Sequence, residues 1–266
     1  MVFDWASERP FWMIGCGNMA GAMLTRWLAA GAPANGITVI RPSGVAPAAG
    51  VQTLTALPEG PVPRLVLLGI KPQQLDAVAP ALAARIGPET VLVSILAGTG
   101  CASLRARFPA AGAIVRAMPN TPVALGRGVV ALTGDRVDAV TALMRPLGLV
   151  EWIDDEEDFH LVAALAGSGP AFVFRMIDAL AAGAADLGLA PDQAARLALH
   201  MVEGAGALAA GAGESPARLA DRVASPGGMT RKGLDVLDAD QALARLMRAT
   251  LDATAARGRE MAAAFR

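Results

Sequence analysis

Residues 15–20 read Gly-Cys-Gly-Asn-Met-Ala, directly after the apolar run Phe11–Ile14. This G-x-G-x-x-A spacing suits a strand-to-helix turn that receives a dinucleotide. Gly15 permits the tight turn, Gly17 lets the backbone approach a pyrophosphate, and Ala20 lets the helix pack on the strand. The amides at the helix start, near Asn18 and Met19, add a partial positive charge. An ordinary glycine-rich turn is the alternative. After the next apolar run the chain reads Ile40-Arg41-Pro42-Ser43, with no acidic residue before Glu59. An NAD site usually places a carboxylate here, whereas the Arg41 guanidinium and Ser43 hydroxyl suit the 2′-phosphate of NADPH. NADPH is therefore favoured over NADH, with Arg41 as a solvated loop residue left open.

Three later peptides fall where strands should end: Lys71-Pro72-Gln73, Ala97-Gly98 and Met118-Pro119-Asn120-Thr121-Pro122. Open sheets bind ligands at the carboxyl ends of their strands. Prolines flanking Asn120-Thr121 stiffen that turn, which suits holding a nicotinamide ring, or serves as a rigid capped turn. Lys71, one of two lysines with Lys232, either neutralises cofactor charge or faces solvent. Farther on, Gly167-Ser168-Gly169-Pro170 and Ser225-Pro226-Gly227-Gly228-Met229-Thr230 each break one helix and start another. Such loops expose several backbone amides and form a carboxylate-sized anion site, or act as plain helix punctuation.

The periodicity names the elements that position these turns. Short apolar runs at Phe11–Ile14, Ile37–Ile40, Leu65–Ile70, Val91–Ile95, Ala113–Ala117 and Val129–Leu132 alternate with helical patterns such as Met19–Ala30 and Gln74–Ile86. That is the rhythm of βαβ units, and runs apolar throughout suit strands covered on both faces. After the acidic stretch 154–158, read as a solvated face at a helix start, the pattern becomes Ala- and Leu-rich and helical. Helices are expected over about 157–166, 170–187, 191–210, 216–223 and 241–266. The fold class is α/β: an N-terminal Rossmann-like doubly wound sheet over 1–153, then an all-α domain over 154–266. Many alanines leave a broad apolar surface that suits dimerisation, with plain compositional bias as the alternative.

Composition removes whole classes of function. The 266 residues are 54% hydrophobic and 18% charged, which excludes disorder and demands a large interior or interface. The apolar stretch Leu161–Phe174 is interrupted at 167–170 and falls short of the roughly 20 residues of a span, so no membrane is expected. Lys+Arg 23 against Asp+Glu 24, with no basic run, excludes a nucleic-acid partner. Two cysteines, Cys16 and Cys101, and acidic residues where a signal peptide would be basic point to the cytoplasm. The two histidines have no metal-ligand spacing, so no metal is expected. With no tyrosine, any mechanism that needs a tyrosine proton donor is excluded.

Taken together, Ile14-Gly15-Cys16-Gly17-Asn18-Met19-Ala20, Lys71-Pro72-Gln73, Arg116-Ala117-Met118-Pro119-Asn120-Thr121-Pro122, Gly167-Ser168-Gly169-Pro170-Ala171 and Ser225-Pro226-Gly227-Gly228 resemble the pyrroline-5-carboxylate reductase family, in order and spacing, over nearly the whole chain. The resemblance implies a Rossmann domain joined to a helical dimerisation domain, an active site shared between subunits, and reduction of a cyclic imine to L-proline by NADPH. Dimers of this family can assemble further, commonly to decamers. Carried over, Gly15, Gly17, Asn18 and Met19 hold the pyrophosphate, Arg41 and Ser43 lie by the adenosine ribose, and Lys71, Pro72, Met118 and Asn120 line the nicotinamide side. Ser225, Gly227, Gly228, Met229, Thr230 and Ser168 bind the substrate, its carboxylate on the amides at 228–230. The Thr230 hydroxyl reaches the ring nitrogen, which makes Thr230 the catalytic candidate. The chain departs from the family pattern at Ala166, Phe172, Met229 and Arg231, which bears on substrate affinity and ring size. Alternatives are a reductase of a six-membered cyclic imine and a non-catalytic NADPH-binding protein. A β-hydroxyacid dehydrogenase would need a helical lysine, for which only Lys232 is available.

Overall fold

The computed structural model describes residues 3–5 and 9–263. The first half runs β1 (Phe11–Ile14), α1 (Asn18–Ala29), β2 (Ile37–Ile40), β3 (Gln52–Leu54), β4 (Leu65–Leu68), α2 (Leu75–Ala83), β5 (Val91–Ser94), α3 (Cys101–Arg107), β6 (Ala113–Pro119), β7 (Gly128–Gly134), α4 (Asp138–Met144) and β8 (Gly148–Trp152). The strands form one sheet in the order β3-β2-β1-β4-β5-β6-β7-β8. All neighbours are parallel except β6 and β7, which pair antiparallel with Met118 opposite Ala131. Every residue of β1, β2 and β4 is buried. Alternate side chains feed two cores: Phe11 and Met13 join α1 and α4 on one face, and Trp12 and Ile14 join α2 and α3 on the other. This is the doubly wound α/β sheet expected from the apolar runs.

β3 and β8, the two outermost strands, lie outside those runs. Each has partly exposed side chains, so neither carries the continuous apolar signal of a doubly covered strand. The opening segment contributes to the core: Phe3 is buried, meets Trp5 edge-on at 4.6 Å and lies under the Arg64 guanidinium. Residues 1–2 and 6–8 lie outside the described residues.

Trp27 shows how α1 is fixed to α4. It is 1% exposed, packs edge-on against Phe11 and donates its Nε1 to the Leu143 carbonyl at 2.7 Å. Trp27→Phe keeps most of the apolar contact but removes the donor. Urea denaturation is expected to show a loss of roughly 1–3 kcal/mol, the cost of a buried polar group left without its partner; an unchanged midpoint would mean that the carbonyl finds another donor.

The second half is helical: α5 (Phe159–Val162), a π-turn (Ala163–Gly167), α6 (Gly169–Asp186), α7 (Pro191–Gly211), α8 (Pro216–Val223), α9 (Met229–Asp238) and α10 (Ala242–Ala263). α9 falls between the expected helices, because Gly233 and the glycine-rich approach disguise its start. The chain divides into two compact units, one reaching Ser168 and taking back the chain from Thr254, the other Gly169–Ala253. The sequence division at 153/154 follows the change in composition. The first compact unit extends past it because Phe159 and Ala164 are buried. In the second unit α6 packs along α7, with Ala194 and Ala198 buried. Leu197, Met201 and Leu208, at helical spacing on α7, remain 50–65% exposed.

The helical run is also longer than its glycines and proline suggest. Phe159–Asp186, bent at Ser168, is by length and composition alone long and apolar enough to cross a membrane. The expected interruption at 167–170 is there as the end of the π-turn and a bend at Ser168, but it is slight, because Pro170 occupies the first turn of α6, where an amide has no helical partner to lose.

Candidate active site

β1 is the topological switch point, with β2 on one side and β4 on the other. The ladder runs one residue past each strand: the Gly15 amide donates to the Ile40 carbonyl and the Gly69 amide to the Ile14 carbonyl, both at 2.8 Å. A cavity of about 730 Å³ opens beyond these ends, walled by Gly15–Ala20, Arg41, Thr55, Gly69–Lys71 and Gln74 among others. Its lining contains Arg41 and Lys71 and no carboxylate. Gly15 has φ +81°, and a Cβ there would come within 2.8 Å of the Gly69 carbonyl oxygen. A Cβ on Gly69 would in turn sit 2.9 Å from the Ala20 Cβ. Gly69, which no sequence motif marks, is held to glycine by this packing and lines the cavity. At Gly17 a Cβ would meet no atom within 4 Å, so this backbone faces open space. α1 begins at Asn18 without a side-chain cap or an acidic residue in its first turn, leaving its amides for an anion. Gly15 packed tightly on Gly69, open Gly17 and an uncapped helix start fit a dinucleotide pyrophosphate.

Ser43 is not in this wall. It is exposed in the turn after β2, where its hydroxyl accepts the Val45 amide at 3.3 Å, and Thr55 supplies the hydroxyl lining the cavity instead. Lys71 is exposed at the rim, its amide donating to Gln74 Oε1 at 3.0 Å. Pro72 starts that short 3-10 turn and lies outside the cavity lining. Cys16 lines the cavity, and burial pushes its thiol up against the opposing pull of Arg41, so it stays protonated and apolar in character.

Met19 and Ile95 are shared with a second cavity of about 490 Å³, lined also by Gly98, Arg116, Met118, Gly167 and Ser168. The sequence-selected Met118 and Ser168 thus meet here. Asn120 is 7% exposed and stands behind the wall: its Nδ2 donates to the Ala166 carbonyl and its Oδ1 accepts the Val129 amide, both at 2.9 Å. Glu156 is not the solvated charge expected of the acidic run. Burial opposes its ionisation, but the Cys101 amide and the Arg116 guanidinium more than offset this and hold its carboxyl below the usual range. Burial and the Glu156 charge push the neighbouring Cys101 thiol up to about 11, and burial and Arg116 push His160 down. No cluster of three metal-binding side chains occurs among the described residues.

In the second unit, Ser225–Gly228 forms a turn with Gly227 at φ +72° and Gly228 capping α9. The Gly228 amide, expected to bind a carboxylate, donates instead to the Ser225 carbonyl at 2.9 Å. The amides left at the helix start are those of Met229 and Thr230, both exposed. Arg231, a departure from the family pattern, is engaged by Asp221, Asp235 and Asp238 at 3.6, 2.9 and 3.1 Å. Its charge braces α9 against α8.

Residues 156–261 match the family model described as pyrroline-5-carboxylate reductase dimerisation, and residues 11–98 that described as NADP oxidoreductase, coenzyme F420-dependent. A pyrroline-5-carboxylate reductase of Pseudomonas aeruginosa is 33% identical, the match covering 94% of this chain and 95% of that protein. One from Pasteurella multocida is 31% identical, covering 95% and 97%. Among solved structures, a pyrroline-5-carboxylate reductase from Coxiella burnetii superposes with a TM-score of 0.88 at 30% identity, covering 96% of this chain and 99% of that one. The pyrroline carboxylate reductase of Plasmodium falciparum, solved with NADP bound, shares the fold with a TM-score of 0.79 at 20% identity. With both halves matched and full-length relatives above 30% identity, the chain belongs to the pyrroline-5-carboxylate reductase family.

Proposed function

We propose that this protein reduces 1-pyrroline-5-carboxylate to L-proline with NADPH, the last step of proline biosynthesis. One observation carries the reading: a dinucleotide-sized crevice with a cationic, carboxylate-free lining, in a chain that matches the reductases over 94% of its length. When bound, the reduced nicotinamide supplies a hydride to the imine carbon. Gly15, Gly17, Asn18 and Met19 receive the pyrophosphate, and Lys71 adds charge at the rim. Arg41 takes the 2′-phosphate, and Thr55 rather than Ser43 is the hydroxyl beside it. Met118 lines the nicotinamide side, where Pro72 and Asn120 act through the backbone they hold, and Ser168 in the same cavity faces the substrate. In the Ser225–Thr230 loop, Gly227 and Gly228 shape the turn, the Met229 and Thr230 amides bind the carboxylate, and the Thr230 hydroxyl bonds the ring nitrogen. A protonated imine is already a strong electrophile, so these groups orient it and need no strong acid.

The exposed apolar stripes of α6 and α7 lie within the dimerisation match. They support a homodimer rather than a membrane contact, and assembly of such dimers to a decamer is part of the same proposal. The functional boundary is proposed near 153/154, two residues before that match begins. Two unpaired cysteines support a cytoplasmic setting.

The test is NADPH oxidation by the purified protein with pyrroline-5-carboxylate, beside its six-membered homologue and beside NADH. Turnover fastest with the five-membered imine and NADPH is expected; NADPH binding without turnover of either imine would refute the reading. Arg41→Glu is expected to raise the KM for NADPH at least about tenfold, since one charge-assisted phosphate contact contributes roughly 1.5–3 kcal/mol. NADH kinetics should change little; equal losses with both cofactors would remove Arg41 from phosphate recognition.

A further inference from the structure

Arg116 is the only buried charged side chain among the described residues, 6% exposed, on β6 between Ser94 of β5 and Thr133 of β7. A buried cation requires partners. Its Nη1 donates to Glu156 Oε1 at 2.5 Å, and its guanidinium lies 4.6 Å from the centroid of Phe159. Glu156 Oε1 also accepts the Cys101 amide at 2.9 Å. Phe159 opens α5, which runs straight into the π-turn. The far end of that turn is tied to the exit of the same strand. The i+4 partner of the Ala166 carbonyl would be Pro170, which has no amide hydrogen, and Asn120 Nδ2 supplies the missing donor at 2.9 Å. Between the two ties Gly167 packs on Met118, where a Cβ would come within 3.3 Å of Sδ, and Ser168 faces the second cavity. A π-turn inserted in a helix is a feature often found at functional sites.

We propose that Arg116, Glu156 and Asn120 are positioning residues that clamp residues 156–167 onto the exit of β6, and so set the wall of Met118, Gly167 and Ser168 against which the nicotinamide and the imine are aligned. This inference rests on the reductase reading above. None of the three needs to touch the reacting atoms. Arg116 and Glu156 act on the wall through the chain that joins them to the π-turn, and Asn120 acts on the turn's Ala166 carbonyl.

The experiment compares Glu156→Ala and Glu156→Gln with the parent. In Glu156→Ala, kcat/KM for pyrroline-5-carboxylate is expected to fall about tenfold, mainly in kcat, because a small misplacement of reacting groups is costly. NADPH affinity, read by fluorescence titration, should stay at the parent value. Hydrogen exchange in the protein without cofactor should quicken over residues 159–170 and not over 11–30. Glu156→Gln keeps an oxygen for Arg116 and the Cys101 amide and should recover most of the loss. Parent-like turnover and exchange in Glu156→Ala overturn the clamp, as does a loss of NADPH affinity with faster exchange throughout the sheet. If the parent reduces no imine, the reductase reading fails by itself, and the exchange data alone decide the clamp: faster exchange confined to 159–170 supports it, unchanged exchange overturns it.

Discussion

Thr230→Ala is expected to bind NADPH like the parent while kcat/KM for the cyclic imine falls roughly a hundredfold, the usual loss when one preorganised hydrogen-bonding group is removed from a reacting centre. The separation of the two effects follows from where Thr230 sits. Its hydroxyl is exposed in the first turn of α9 and makes no bond among the described residues, so its removal costs the fold little. It belongs to a different compact unit from the dinucleotide cradle. Thr230→Ser, which keeps the hydroxyl, should restore most of the turnover. Equal rates for Thr230→Ala and the parent would remove Thr230 from the mechanism and leave the loop amides as its only contribution.

The second large effect comes from the two glycines of the cradle, which should fail in different ways. Gly15→Ala forces a side chain onto φ +81° and within 2.8 Å of both the Gly69 carbonyl oxygen and Ile70 Cγ2. The backbone conformation alone costs about 1–2 kcal/mol, and the contact falls on main chain that cannot turn away. Thermal stability and NADPH binding are expected to drop together. Gly17→Val adds a side chain where no protein atom lies within 4 Å, so the melting temperature should hold. NADPH affinity should nevertheless fall tenfold to a hundredfold, roughly 1.4–2.8 kcal/mol of lost close approach. Calorimetry and fluorescence titration on the pair read both quantities. Undiminished affinity in Gly17→Val would mean that the pyrophosphate does not lie on this backbone.

The sequence by itself determined what depends on neighbours along the chain. Four central strands, β1, β2, β4 and β5, stand where the apolar runs place them, because a strand covered on both faces must be apolar throughout. The Gly15–Ala20 turn was legible for the same reason: its conformation follows from residue types at fixed offsets. So were α6, α7 and α8, with a proline or a Gly-Pro pair at each start.

Tertiary structure alone decided what depends on residues far apart. Arg116 reads as a charge inside an apolar strand and Glu156 as part of a solvated acidic run; only folding brings them together across 40 residues, burying the first and half-burying the second. Asn120 reads as a ligand of the cofactor, yet its amide is spent on a carbonyl that Pro170 cannot satisfy, a vacancy visible only once the π-turn is formed. Ser43 and Thr55 offer the same hydroxyl chemistry, and the line of β2 and β3 chooses Thr55. The edge strands β3 and β8 were equally silent, because a half-solvated strand carries no continuous apolar run, and the antiparallel direction of β7 was too, because strand direction leaves no trace in composition. Local conformation is written in short-range sterics and periodicity, whereas the partners of buried polar groups are chosen by packing, which no stretch of sequence holds by itself.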